Sequence, residues 1–529
     1  MSNLARLSAA TAVLFSLFPL RAETLSSNSA DSGATPQGVT PQAASPSTIK
    51  VTTRIVVLDV VVTDKKGNLI HRDLAVNDFT VLEDGQRQSI RSFEPPSQHQ
   101  IPASDKAIVN SAADLKKIGD APVTLLVLDE LNSRFEDMSF SRQMMIKYLA
   151  AQPPILKQPT VMMIATNNTF QQVHDYTQNR DELIEVVKKH MPEYPWRMMN
   201  SGRSGPGAVE RMAQVMAALQ QIAQASAGTP GRKNLIWVGN GFPSANLVGM
   251  EQQQADILKA AMRHCTARLL AARITMYSIN PAAGSTSVIE VDTPDDLSTS
   301  LDENGSDPFG GGLVSFTNFA PSTGGIAFTG RNDLNNVIAE GVAKGQNYYT
   351  LSYSPTNTSD DLAKFRRIRI VMNDPALRAT TRDGYYPETS SDLNPVLDKS
   401  ISTKQVVANL QLDLSGALTT TISYNGLAVS ATKSQNVYQI HVAENGLGWS
   451  DPTPDGSQHA EATLAAGWYD NKGKLVGHVI REETFPRGNS NGSADFTLPI
   501  TLPNSVVRLR FVVRDALTGH MGTTDLTKF

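Results

Sequence analysis

Val123-Thr124-Leu125-Leu126-Val127-Leu128-Asp129-Glu130-Leu131-Asn132-Ser133 is the stretch on which the reading of this chain turns. Its first six residues are apolar or β-branched, too short a run for a helix, and read as a central strand buried on both faces. In an open α/β sheet, ligands gather beyond the carboxyl ends of such strands. Asp129 and the polar residues after it therefore stand where a divalent cation or a partner's side chain would be met. Asp129 and Ser133 offer oxygens, whereas Leu131 puts an apolar side chain between them.

Outward from this strand, short apolar runs alternate with stretches of helical period. Phe140 to Ala151 carries Phe140, Met144 and Tyr148 four apart, and Thr160 to Ala165 is a second buried strand. Helices are expected over Asp181 to His190 and Ala208 to Ala225, the latter opened by Pro206 and stopped at Gly228-Thr229-Pro230-Gly231. Asn234 to Val238 and Ile274 to Ile279 are strands, with a helix from Glu251 to Arg273 between them. Gly325 to Phe328, a helix over Asp333 to Lys344 and a strand over Tyr348 to Tyr353 complete the unit. Strands joined by helices imply a doubly wound, mostly parallel sheet over residues 121–355.

The flanks are β-rich. Residues 49–95 read as a small β module, with a hairpin at Asp84-Gly85. Residues 356–390 hold strands expected to return to that module. Residues 395–529 read as a sandwich-like β domain, in which Leu410, Leu412 and Leu414 alternate with polar residues and Val507, Leu509 and Phe511 are separated by Arg508 and Arg510.

Composition narrows the classes. The chain has 529 residues, 40% hydrophobic and 19% charged, with a net charge of -4. That length suits about three domains, and the charge gives no reason to expect nucleic acid. Residues 1–22 read as a signal peptide, with Arg6, an apolar run from Leu7 to Leu20, and Ala22 at the cut. Residues 23–48 read as a disordered leader. The expectation is a secreted, periplasmic or cell-envelope protein with no transmembrane span in the mature chain. Cys265 is the single cysteine, so no intrachain disulfide is possible, and it lies on the apolar face of Ile257, Ala261 and Leu269.

Several motifs together carry a resemblance. They are the Asp64-Lys65-Lys66-Gly67 turn followed by Asp78-Phe79-Thr80-Val81-Leu82-Glu83-Asp84-Gly85, and the strand ending Leu128-Asp129-Glu130-Leu131-Asn132-Ser133. Ser322-Thr323-Gly324-Gly325 with Asn332-Asp333-Leu334, and Tyr348-Tyr349-Thr350-Leu351-Ser352-Tyr353-Ser354-Pro355, complete the set. In order and spacing the chain resembles the von Willebrand factor type A domain, and more narrowly the VWFA-related exported proteins of acidobacteria, over Ile49 to Pro387.

That resemblance implies a VWA-like fold with a metal-ion-dependent adhesion site above the sheet. The family's site uses an Asp-x-Ser-x-Ser loop, a Thr from a later loop and a second Asp after the fourth strand. Here Asp129 and Ser133 match, Leu131 does not, Asn240 stands where the second Asp belongs, and Ser204 (or Ser201) is left for the Thr. One carboxylate in place of two suits a strongly hydrated Mg²⁺ poorly, so the expected site is degenerate and its expected cofactor none. Asp129, Glu130, Asn132, Ser133 and Asn240 form the expected partner-binding face, for a protein partner and with no small-molecule substrate. No His-Glu-x-x-His motif occurs, His174 with Asp175 lacks a third member, and the loop Asp292 to Gly312 departs from the EF-hand pattern. The expectation is an adhesion-type binding protein and no enzyme; the alternatives are a structural envelope component and, further off, an exported hydrolase.

Overall fold

The computed structural model describes residues 55–101, 108–166, 170–190, 206–242, 244–247, 250–281, 308–309, 313–357, 364–387, 403–434, 437–487 and 492–527. The expected signal peptide, leader, acidic loop up to residue 307, Ser201 and Ser204 lie outside them. Strand β1 (Val56–Asp64) opens the described chain and is followed by β2 (Phe79–Glu83), β3 (Gln86–Gln88) and β4 (Ile90–Glu94). Asp84 and Gly85 both have positive φ, the two-residue geometry that matches the twist of a hairpin.

The quoted stretch is β5 (Val123–Asp129), buried at every position. After it come α1 (Phe135–Ala150), β6 (Ile155–Ala165), β7 (Phe170–Asn179), α2 (Arg180–Lys189), α3 (Pro206–Ser226) and β8 (Lys233–Val238). β9 (Ala245–Asn246), α4 (Gln252–Ala271), β10 (Ile274–Ile279), β11 (Leu313–Val314), α5 (Phe319–Ser322), β12 (Ala327–Phe328) and α6 (Leu334–Gln346) follow. Six of these strands form one mixed sheet in the order β12-β10-β8-β5-β6-β7. Every neighbouring pair is parallel except β6 with β7.

Both faces of the sheet are covered because alternate residues of each strand point opposite ways. Leu126, Leu128 and Ile236 pack with Met145 and Leu149 of α1, Leu183 of α2 and Ile338 of α6. Leu125, Val127 and Leu235 pack with Leu219 of α3 and Met262 and Cys265 of α4. Burial pushes the Cys265 thiol up to about 12, so it behaves as a small apolar side chain. The antiparallel edge strand β7 was not legible in the sequence, because Phe170, Val173 and Tyr176 do not alternate with period two.

After α6 the chain leaves this sheet. β13 (Tyr349–Tyr353) pairs antiparallel with β1 and β4, whereas the sequence pattern placed it in the α/β unit. The neighbouring edge strand, β12, is only two residues long, while the β module has room for the rings of β13. The Tyr349 hydroxyl donates to the Arg72 carbonyl (3.0 Å) and that of Tyr353 to Glu83 (2.7 Å). β14 (Arg366–Met372) pairs with β2, β15 (Leu377–Thr380) with β1, and β16 (Gly384–Tyr385) with β14. Two four-stranded sheets, β15-β1-β13-β4 and β16-β14-β2-β3, thus enclose one core.

The Leu410–Leu414 alternation, read as strand, belongs to α7 (Thr403–Thr419). Leu414, Ala417 and Leu418 are buried and Leu412 is exposed, a helical spacing that two-residue alternation also satisfies over so short a window. β17 (Val429–Ser434), β18 (Val437–Ala443), β19 (His459–Tyr469), β20 (Leu475–Pro486), β21 (Ser493–Pro499), β22 (Arg508–Asp515) and β23 (Met521–Leu526) complete the described chain. They form sheets β17-β18-β21 and β20-β19-β22-β23 around a shared core.

On the opposite face of β22, Arg510 and Arg514 are inside, not out. Arg510 is fully buried; its Nε donates to the Ala417 carbonyl (3.0 Å), Nη1 to Asp525 (2.8 Å), and Nη2 to the Ile422 carbonyl. A cation thereby satisfies a carbonyl that the last turn of α7 leaves without a helical partner. Asp413 of α7 accepts from Arg514 (3.1 Å) and from Gln224 of α3 (3.0 Å). Leu414, Ala465 and Val512 join the core beneath the six-stranded sheet. Beyond α7, the Thr420 and Thr421 hydroxyls donate to the Phe170 and Gln172 carbonyls of β7 (2.8 and 2.9 Å).

Candidate functional site at the sheet switch point

Between β5 and β8 the crossovers part, one leading to β6 and the other to β10. This is the switch point, where an α/β sheet opens a crevice at its carboxyl end. Asp129 closes β5, and four donors converge on it. Oδ1 accepts from the N–H groups of Leu131 (2.9 Å) and Asn132 (3.1 Å), and Oδ2 from Gly241 N–H (2.7 Å) and Trp237 Nε1 (3.3 Å). Burial pushes the Asp129 carboxyl up to about 6, while the donors from Asn132, Gly241, Trp237 and Leu131 pull the other way. Gly239 makes the close approach possible: it has φ +149°, and a Cβ there would lie 2.3 Å from the Cβ of Asp129.

The two loops are further stitched by Asn240. Its N–H donates to Ser133 Oγ (3.3 Å), and its Nδ2 donates to the Asn132 carbonyl (3.2 Å). Asn132 Oδ1 and Nδ2 and Asn240 Oδ1 are buried without hydrogen-bond partners. Glu130, also buried, meets His190 Nε2 at 2.8 Å, tying this loop to the end of α2.

The structure therefore gathers Asp129, Asn132, Ser133 and Asn240 at one point, and Glu130 beside them. The donor set does not fit Mg²⁺. Such an ion needs hard oxygens with lone pairs to spare, and both Asp129 oxygens are already occupied. Leu131, at the middle loop position, is buried in the core with Trp237 and Phe316. Among the described residues, no group of three or more His, Cys, Asp or Glu side chains is arranged to hold a metal.

Sequence reasoning missed the aromatic floor of this site. Phe316 packs against Trp237 and Phe242 at ring separations of 5.2 and 5.4 Å. The three-residue spacing of Phe316 and Phe319 was the available signal. His174 is structural: Nδ1 meets the Asp175 carbonyl at 2.7 Å, and the Asp175 carboxylate holds the Ala112 and Tyr176 N–H groups.

A second polar centre lies at the opposite end of the sheet, against the β module. Arg273, with φ +54° after α4, donates to Asp59 (2.9 Å) and Thr350 (3.2 Å). Burial would raise the Asp59 carboxyl, but Arg273 and Arg232 outweigh it and hold it below its ordinary value. His99 stacks on Tyr348 at 4.4 Å. Lys233, the first residue of β8, is buried, and its Nζ donates to the Thr229 carbonyl. Burial, reinforced by Arg273 and opposed by Asp59 and Asp120, lowers its amine to about 7.

No known family model and no curated protein matches the chain. Among solved structures, it is similar to proximal thread matrix protein 1 from the mussel byssus at 11% identity and TM-score 0.20, over 31% of this chain and 38% of that one. The human COPII-coat protein Sec24c is similar at 9% identity and TM-score 0.25, over 57% and 51%. A calcium-binding mutant of Bacteroides uniformis beta-glucuronidase 2 is similar at 14% identity and TM-score 0.11, over 19% and 12%. The chain spans well under two thirds of each of these proteins, and likenesses this slight carry no functional argument.

Proposed function

We propose that this chain is an exported binding protein with a von Willebrand factor type A-like platform that engages a protein partner through its switch-point loops, without a metal ion. The strand order supports the platform: counted within the α/β unit it runs 3-2-1-4-5-6 from β7, with the third strand antiparallel at the edge. The two C-terminal sheets around one core support a sandwich reading of that module. Among the described residues no helix is long and apolar enough to cross a membrane, which is compatible with export.

One observation carries the reading. Asn132 and Asn240 hold three buried polar atoms without partners at the place where such sheets bind. Unpaired buried polar atoms are costly, and they are found where something else completes them. Asp129 acts here as the bracket that shapes the loops, and the neutral amides are the groups a partner completes when the loops open to it. Nothing in the arrangement supplies a nucleophile with its base, so no catalytic step is assigned.

Crosslinking on intact cells, followed by pull-down in EDTA and in Mg²⁺, tests this. Partner recovery is expected to be equal in both and reduced by Asn132→Ala/Asn240→Ala. Recovery that requires Mg²⁺, or that is untouched by the double variant, refutes it. Calorimetry with Mg²⁺ alone is expected to show no binding that Asp129→Ala removes.

A further inference from the structure

Away from the switch point, the β16-β14-β2-β3 sheet turns one face to its core and the other to solvent. Residues paired directly across neighbouring strands share a face. Arg369 pairs with Leu82, and Leu82 pairs with Arg87, so these three form one outward row across β14, β2 and β3. The next row in the same direction pairs Val371 with Thr80. Arg87, Arg369 and Val371 are exposed, and Leu82 and Thr80 are half-buried.

The charges on this face are unbalanced. Among the described residues neither the Arg87 nor the Arg369 side chain has a hydrogen-bond or ion-pair partner. Arg367, farther along β14, has the Asp383 carboxylate beside its charge, and its backbone N–H donates to Asp84 (2.9 Å). Two unpaired guanidiniums therefore flank Leu82, with Val371 beside Arg369 in the adjoining row, on a chain whose net charge is -4. No lysine shares these rows. Arginine beside partly exposed aliphatic side chains is the composition of a protein interface, in which lysine is depleted. A sulfated glycan or a phosphate surface would use the charges and leave the apolar side chains unpaired.

We infer that this outer face is a second docking surface, and that its occupant is an acidic protein segment with apolar residues between its carboxylates. Each guanidinium takes a carboxylate through its planar fork, and the intervening apolar side chain covers Leu82 and Val371. The surface is built from different elements than the switch-point loops and does not depend on them.

Fluorescence anisotropy with the full chain tests this, using a labelled peptide in which Glu alternates with Val. An all-Glu peptide of equal charge and dextran sulfate serve as comparisons. The Glu–Val peptide is expected to bind most tightly and to weaken as salt rises. Arg87→Glu/Arg369→Glu is expected to weaken it at least about tenfold, Leu82→Ser/Val371→Thr to weaken it without affecting the all-Glu peptide, and Asn132→Ala/Asn240→Ala to leave it unchanged. Thermal unfolding of the arginine variant should match wild type, because both side chains are exposed and unpaired. Absence of peptide binding at low salt, equal binding of dextran sulfate, or binding that survives the charge reversal overturns the inference.

Discussion

Replacing Lys233 with Met should stabilise this protein, with a pH dependence that identifies the cause. The amine is buried, donates among the described residues only to the Thr229 carbonyl, and is lowered from 10.5 to about 7. Between those pH values the unfolded chain carries a proton that the folded chain has shed, so stability rises with pH across the window. Below it the burial cost is present in full. At about 1.4 kcal/mol per pH unit, that cost is about 4 kcal/mol at neutral pH. Methionine fills nearly the same volume but leaves the Thr229 carbonyl without its donor, which returns about 1 kcal/mol. The expected net gain is about 2–3 kcal/mol at pH 7, a rise of several degrees in unfolding temperature, and it should shrink as pH climbs toward the ordinary lysine value. Thermal unfolding of both proteins from neutral to alkaline pH measures this, and the contributions of other groups cancel in the difference. A variant less stable at neutral pH, or a gain that does not shrink with alkalinity, would show that the amine is stabilised by its surroundings and the reasoning is wrong.

Other outcomes follow from the same geometry. Gly239→Ala should lower the unfolding temperature by at least several degrees, because its Cβ would fall 2.3 Å from that of Asp129 in a backbone conformation that L side chains rarely adopt; an unchanged melt refutes the bracket. Arg510→Met should cost about 2–4 kcal/mol, because it leaves the Ala417 and Ile422 carbonyls without their donor while Asp525 keeps Arg508 (3.3 Å), and hydrogen exchange should show the last turn of α7 losing protection first. Tyr353→Phe should cost only about 1–2 kcal/mol, since Glu83 keeps Tyr385 (3.1 Å) and Arg366 (3.4 Å); a larger loss would mean that these two do not compensate.

What the sequence made legible depended on the range over which each signal acts. β5, β8 and β10 could be read from their apolar runs, because strands covered on both faces show their burial locally. The helices α1 to α4 and α6 could be read from their period, to within a few residues at most ends. The destination of β13 could not, since strand content says nothing about which sheet supplies the partner. Leu410 to Leu414 misled because helix and strand patterns coincide over a few residues, and Ala417 and Leu418 were the discriminating positions. At the switch point, sequence brought Asp129, Asn132, Ser133 and Asn240 together in advance. It missed the Trp237 donor and the aromatic floor, which arise from contacts between segments far apart in the chain. The inward arginines of β22 also escaped notice, because alternation assumes a solvated outer face and α7 covers it.

The segment that follows α7 has a consequence for handling this protein. A sheet's outermost strand displays unpaired backbone groups and can recruit another molecule's strand. In β7 the carbonyls of Phe170 and Gln172 are occupied by threonine hydroxyls from residues 420 and 421. Chain from the C-terminal region thus shields the border of the six-stranded sheet without adding a strand to it. An expression fragment that stops after the first β module has closed would leave that border bare and also uncover the core that Leu414, Ala417 and Ile422 complete. Such a fragment should self-associate into strand-linked aggregates as its concentration rises, whereas the longer chain stays dispersed.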